Sequence, residues 1–219
     1  TNKEGGSHEH TVNCGVQGKT QNDAIIEERV RRVKYGLALD ALAQGAVLRK
    51  LGGWHSQGGH NNPYDREKIT RVPWGSALKP YQKELVDFEG VCGTFKNHHA
   101  SLRRGDLNKI IGLTNPDYPV LHSHGDKDIT WVNAQGYEMQ GDWPNDHAFG
   151  FVLNGETGRK DDKGNALRDL PILALLNGSS MEVEMEIPHS EIATCWKVAF
   201  NSCPEASKTV REGQKFTSG

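Results

Sequence analysis

A chain of 219 residues with 26 basic and 28 acidic side chains carries a net charge of -2, and no basic stripe runs along it, which excludes a nucleic-acid footprint. No run of 18 apolar residues occurs, so nothing in it reads as a membrane span. Hydrophobic residues make up 35% and the mean hydropathy is -0.66, yet the apolar residues fall in patterned clusters, which argues against wholesale disorder.

The first stretch, "TNKEGGSHEHTVNCGVQGKT", is polar and glycine-bearing and reads as a loop. "NDAIIEERVRRVKYGLALDALAQG" follows with Ile26, Val30, Val33, Leu37 and Ala41 at steps of three or four, the single apolar stripe of an amphipathic helix. Thr20 or Asn22 is placed to cap its start, Glu27 and Glu28 favour its early turns, and Gly45 is a natural stop. The short apolar piece "AVLRKL" is a strand candidate. "HSQGGHNNPYD", residues 55–65, is a loop by composition, dense in imidazoles and side-chain amides.

A second helix is expected in "KPYQKELVDFEGVCGTFKNHHASLRRG", where Leu85, Phe88, Cys92, Phe95, His99 and Leu102 alternate steps of three and four. Gly90 and Gly93 each weaken it by about 1 kcal/mol relative to Ala. His99 lies on the apolar stripe, where a hydrogen-bonded core histidine is the expected role rather than a ligand.

After about residue 125 the period becomes two. "DITWV", "AFGFVLNG", "PILALLNG", "MEVEMEIP" and "TCWKVAF" read as short strands. Met181, Val183, Met185 and Ile187 share one face of the fourth, Glu182, Glu184 and Glu186 the other. Trp196, Val198 and Phe200 point inward from the fifth. Asn-Gly closes the second and third, a turn signal. Short strands with turn punctuation predict an antiparallel β-sandwich.

The four cysteines (Cys14, Cys92, Cys195, Cys203) lack CxxC spacing, which removes zinc-ribbon and thioredoxin readings. Cys195 and Cys203 are near enough in sequence to pair, though reduced thiols are the expectation. No signal-peptide pattern opens the chain, and a cytoplasmic setting is expected. His8 with His10, and His122 with His124 and Asp126, have metal-like spacing, but no third ligand is implied and no metal or other cofactor is expected. Nucleophile-elbow and phosphate-loop patterns are absent. Trp131 and Trp143 flank a polar segment; such aromatics anchor cores and interfaces more often than they offer a surface to a ligand.

Three segments taken in order, "VNCGVQGKTQNDAI", "HSQGGHNNPY" and "DITWVNAQGYEMQGDWPNDHAFGFVLNGE", resemble the C-terminal third of bacterial glycogen debranching enzymes of the isoamylase type, in the α-amylase clan. The resemblance runs over roughly residues 12 to 201. It implies a remnant of a (β/α)₈ barrel over residues 1–105, a linker over 106–125, and a C-terminal antiparallel β-sandwich over 126–219. It places the polar loop after the last barrel strand, on the face where barrels hold their active sites. His55, Gln57, Asn61, Asn62 and Tyr64 would then face an α-glucan or brace the loop; amides and imidazoles match sugar hydroxyls, which both donate and accept. The resemblance also implies α-1,6-glucan hydrolysis of glycogen or limit dextrin.

Two carboxylates and an assisting aspartate carry that chemistry in the family, on earlier barrel strands. No residue of this chain matches any of the three, so no catalytic residue is assigned and the chain alone is expected to be inactive. The chain also departs from the family around the loop. "LRKLGGWHSQ" lacks the A-G-D-E run, and Asp65, Arg66, Glu67 and Lys68 replace a Cys-Gln-Asp-Asn run. Two other readings stand beside this one: a non-catalytic glucan-binding or interaction module, and an unrelated metal- or ligand-binding protein.

Overall fold

The computed structural model describes residues 23–47, 78–103, 129–139, 147–179, 181–188, 193–203 and 213–217. These fall into two compact units, one with residues 23–43, 47 and 78–94, the other with residues 44–46 and those from 95 onward. They are described separately.

In the first unit, α1 spans Asp23–Leu42, as the apolar stripe predicts. Val30, Val33, Leu37 and Ala41 are all buried. The polar side carries the Glu28 carboxylate between Arg31 and Arg32, one helical turn on. Such exposed pairs contribute little individually. Gly45, just beyond the helix, has φ 86°. α2 spans Pro80–His98 and buries Gln82, Leu85, Phe88 and Cys92. Its start is built by two devices. Pro80 occupies the first helical position, where a missing N–H costs nothing, and the Gln82 side chain accepts the Lys79 amide at 2.8 Å.

Lys34 joins the two helices. It is 5% exposed, pairs with Glu84, and lies 5.6 Å from the centroid of the Phe88 ring. A buried ammonium needs such a partner.

The second unit begins with the end of α2 and a 3-10 turn at Ala100–Arg103, which buries Ser101 and Leu102. Its main sheet is antiparallel, in the order β1 (Ile129–Asn133), β2 (Ala148–Leu153), β5 (Ile172–Asn177). Opposed residues share a face. The register sets Trp131 against Phe151 and Phe151 against Ala174. Phe151, Leu153, Ile172, Ala174 and Leu176 on that face are buried. Trp131 packs on Phe151 at 5.3 Å and Phe149 at 6.0 Å, the anchoring role expected of it.

Between β2 and β5 lies a hairpin of β3 (Glu156–Lys160) and β4 (Ala166–Arg168). Its turn is shaped by Asp161, whose carboxylate accepts the Lys163 and Asn165 amides and the Asn165 side chain. Those bonds, led by the Asn165 side chain, hold the Asp161 carboxyl below its ordinary range. β6 (Cys195–Lys197) pairs with β7 (Lys215–Thr217). Trp196 is buried between exposed Cys195 and Lys197, so the inward-outward alternation holds there.

Two expectations change. "MEVEMEIP" joins no sheet ladder among the described residues. Its alternation is real, since Val183, Met185 and Ile187 are half-buried between exposed glutamates, but alternation records which side is covered rather than hydrogen-bond pairing. The Glu186 amide instead donates to Ala134 in the turn after β1. The first Asn-Gly pair does not close a hairpin either: Asn154-Gly155 carries the chain from the main sheet into β3. Of "AVLRKL", residues 48–51 lie outside the described residues, as do the barrel-strand assignment and the whole polar loop.

Candidate functional site

The densest polar constellation among the described residues joins the end of α2 to the loop after β4. Asp169 is its centre. Its Oδ1 bonds His99 Nδ1 at 2.9 Å and accepts the Leu170 amide at 2.8 Å. Its Oδ2 accepts the Ser101 amide at 3.0 Å and the Ser101 hydroxyl at 2.8 Å. An ionised carboxylate only accepts, so the imidazole proton sits on Nδ1. The His99 ring packs on Phe95 at 4.3 Å, and Phe95 meets Phe200 edge-on at 5.2 Å.

Burial pushes the Asp169 carboxyl up, but the Ser101 amide and hydroxyl and the His99 contact outweigh it, and the group titrates below its ordinary value. A carboxyl depressed in the folded state contributes stability above its unfolded pKa, and that contribution disappears as pH falls through the folded value. The loss therefore belongs below about pH 4. Unfolding titrations from pH 5 downward are expected to show a steeper drop in wild type than in Asp169→Asn, which keeps only the contribution of other depressed carboxyls such as Asp161; identical pH profiles would contradict the assignment.

Serine, histidine and aspartate meet here, but not as a nucleophilic triad. The Ser101 hydroxyl donates to the aspartate rather than to the imidazole, so the histidine is not set to deprotonate it. The cluster is a clasp: Asp169 caps the 3-10 turn and fixes His99, fulfilling the core-histidine expectation.

The second ordered polar feature is the turn after β1. Asn133 Oδ1 accepts the Gln135 and Tyr137 amides, while the Asn133 amide donates to the Tyr137 carbonyl. Gly136 has φ 77°, and a Cβ there would stand 3.3 Å from the Pro188 Cα.

The residues singled out from the sequence for glucan contact, His55, Gln57, Asn61, Asn62 and Tyr64, lie outside the described residues. So do Cys14, Trp143 and the histidines His8, His10, His122 and His124. Among the described residues no group of three or more His, Cys, Asp or Glu is placed to hold a metal ion. Cys92, Cys195 and Cys203 are free thiols. No helix among the described residues is long and apolar enough to cross a membrane. The Asp169 clasp escaped sequence reasoning because its members lie about seventy positions apart; only His99, on the helix stripe, gave a signal.

In class, then, the described chain joins paired helices to small antiparallel sheets, with a clasp and no assembled catalytic group among those residues. No family model matches it. Known proteins do. It is 27% identical over 202 residues to the glycogen operon protein GlgX homolog of Mycobacterium tuberculosis, covering 89% of this chain and 27% of that protein. It is 28% identical over 193 residues to a glycogen debranching enzyme of Yersinia pseudotuberculosis, covering 87% of this chain and 25% of the relative. A glycogen debranching enzyme of Serratia proteamaculans is 27% identical over 144 residues, covering 63% and 19%. The chain is thus similar to part of bacterial glycogen debranching enzymes and spans about a quarter of the length of these curated relatives.

Proposed function

We propose that this chain is a portion of an α-1,6-glucan debranching glycoside hydrolase acting on glycogen or its limit dextrin. The supporting observation is similarity along 87–89% of the chain to proteins named as glycogen operon or debranching proteins, joined to three family motifs in their expected order. In this reading the helices of the first unit belong to the end of a (β/α)₈ barrel, and the small sheets of the second to a C-terminal β-sandwich. The loop with His55, Gln57, Asn61, Asn62 and Tyr64 lies at the rim of the glucan cleft. Its amides and imidazoles donate to and accept from sugar hydroxyls, which orients a chain without attacking it.

Glycosidic cleavage needs a nucleophile and a proton donor, carboxyl groups about 5–5.5 Å apart in the retaining geometry. The family motifs map neither onto this chain. Positioning groups alone do not replace them. The purified 219-residue chain is therefore expected to release no reducing sugar from glycogen limit dextrin. Release above buffer, abolished by Asp65→Asn or Glu67→Gln, would contradict the proposal, because the active carboxylates would then be residues to which the family pattern gives no such role.

A further inference from the structure

We propose that the turn at residues 133–138 is a second, peripheral glucan-contact site, with Tyr137 as its stacking surface; this rests on the debranching reading. Tyr137 is 71% exposed, and among the described residues its ring and hydroxyl have no partner. An exposed aromatic by itself is ordinary. What distinguishes this one is its mounting. The backbone around it is held by the two amides donating to Asn133 Oδ1, by the Asn133 amide on the Tyr137 carbonyl at 2.9 Å, and by the Gly136 amide on the Asn133 carbonyl at 3.0 Å.

The turn is also fixed from outside. The Glu186 amide donates to Ala134, and Gly136, in a left-handed conformation that disfavours other residues, packs closely on Pro188, where a Cβ would stand 3.3 Å from its Cα. The next residues return to β1, with the Met139 amide on the Trp131 carbonyl at 2.9 Å. Ordering the backbone therefore adds nothing to the cost of binding, and a tyrosine ring has only two torsions to fix.

Gln135 stands on the same turn, exposed, with its side-chain amide unpartnered among the described residues. A pyranose presents an apolar face of C–H groups and a rim of hydroxyls. A mounted aromatic ring fits the face, and a free amide, both donor and acceptor, fits the rim. An α-1,4-glucan offers that pair repeatedly, so it is the ligand class the turn would take.

Native electrophoresis of the 219-residue chain in gels containing glycogen tests this. Wild type is expected to be retarded in proportion to the glycogen concentration. Tyr137→Ala is expected to weaken binding about tenfold, equivalent to about 1.4 kcal/mol. Tyr137→Phe, which keeps the ring, should migrate like wild type, and Gln135→Ala should fall between. Thermal melts of all four establish that they are folded; should Tyr137→Ala fail to fold, Tyr137→Ser serves in its place. Equal retardation of wild type and Tyr137→Ala would overturn the site while leaving the chain a glucan binder. Absence of retardation for both would overturn the site as well, and the debranching reading would still be judged separately by hydrolysis.

Discussion

Replacing Asp169 by alanine is expected to destabilise the second unit by about 3 kcal/mol, lowering its melting temperature by roughly 6–12 °C. Four donors lose their acceptor at once: the His99 imidazole, the Ser101 amide and hydroxyl, and the Leu170 amide. The His99 and Asp169 side chains are only 17% and 10% exposed, so water does not freely take the carboxylate's place. Stranded buried donors cost about 1–3 kcal/mol each; the Leu170 amide is exposed and adds little, and partial relaxation reduces the sum of the rest. Asp169→Asn, which keeps one acceptor oxygen, should cost less. Differential scanning calorimetry separates the cases; an alanine variant melting within 2 °C of wild type, a loss of about 0.5–1 kcal/mol or less, would refute the clasp.

Gly155→Ala is expected to act on the same feature from the backbone side, by about 3 kcal/mol or more. Gly155 has φ 80°, a conformation that costs an L-residue roughly 1–2 kcal/mol. Steric conflict is added to this. A Cβ would stand 2.3 Å from the Asp169 carbonyl oxygen and 3.2 Å from the Leu170 carbonyl carbon, and both of those obstacles are backbone. Relief requires moving the segment that carries Asp169, which the Asp169 amide otherwise ties to the Gly155 carbonyl at 2.8 Å. The two substitutions therefore couple, and the double variant should lose less than the sum of the singles. Chemical denaturation of the four species measures this; strict additivity would show that Gly155 acts independently of the clasp.

Much of the secondary structure was legible because it is written locally. The stripe of Val30, Val33, Leu37 and Ala41 specifies α1 within a few turns, and the apolar runs around Phe151 and Leu176 announce the main sheet. β3 and β4 were not recognised. "ETGRK" and "ALR" are polar or exposed and carry no burial signal; the turn residues Asp161, Gly164 and Asn165 between them were the available clue. "MEVEMEIP" shows the converse, a strand-like pattern on a segment outside any ladder among the described residues. The clasp was only partly visible. His99 follows from the helix period, but nothing local links it to Asp169, whose role depends on a contact across 70 positions.

As proposed above, this chain serves an enzyme that removes α-1,6 branches. Linkage analysis of glycogen limit dextrin after incubation with the polypeptide translated from the whole reading frame tests it most directly. Loss of α-1,6 branch points with release of linear α-1,4 oligosaccharides is the expected result. Branch points left intact, whether or not α-1,4 bonds are cut, would contradict it.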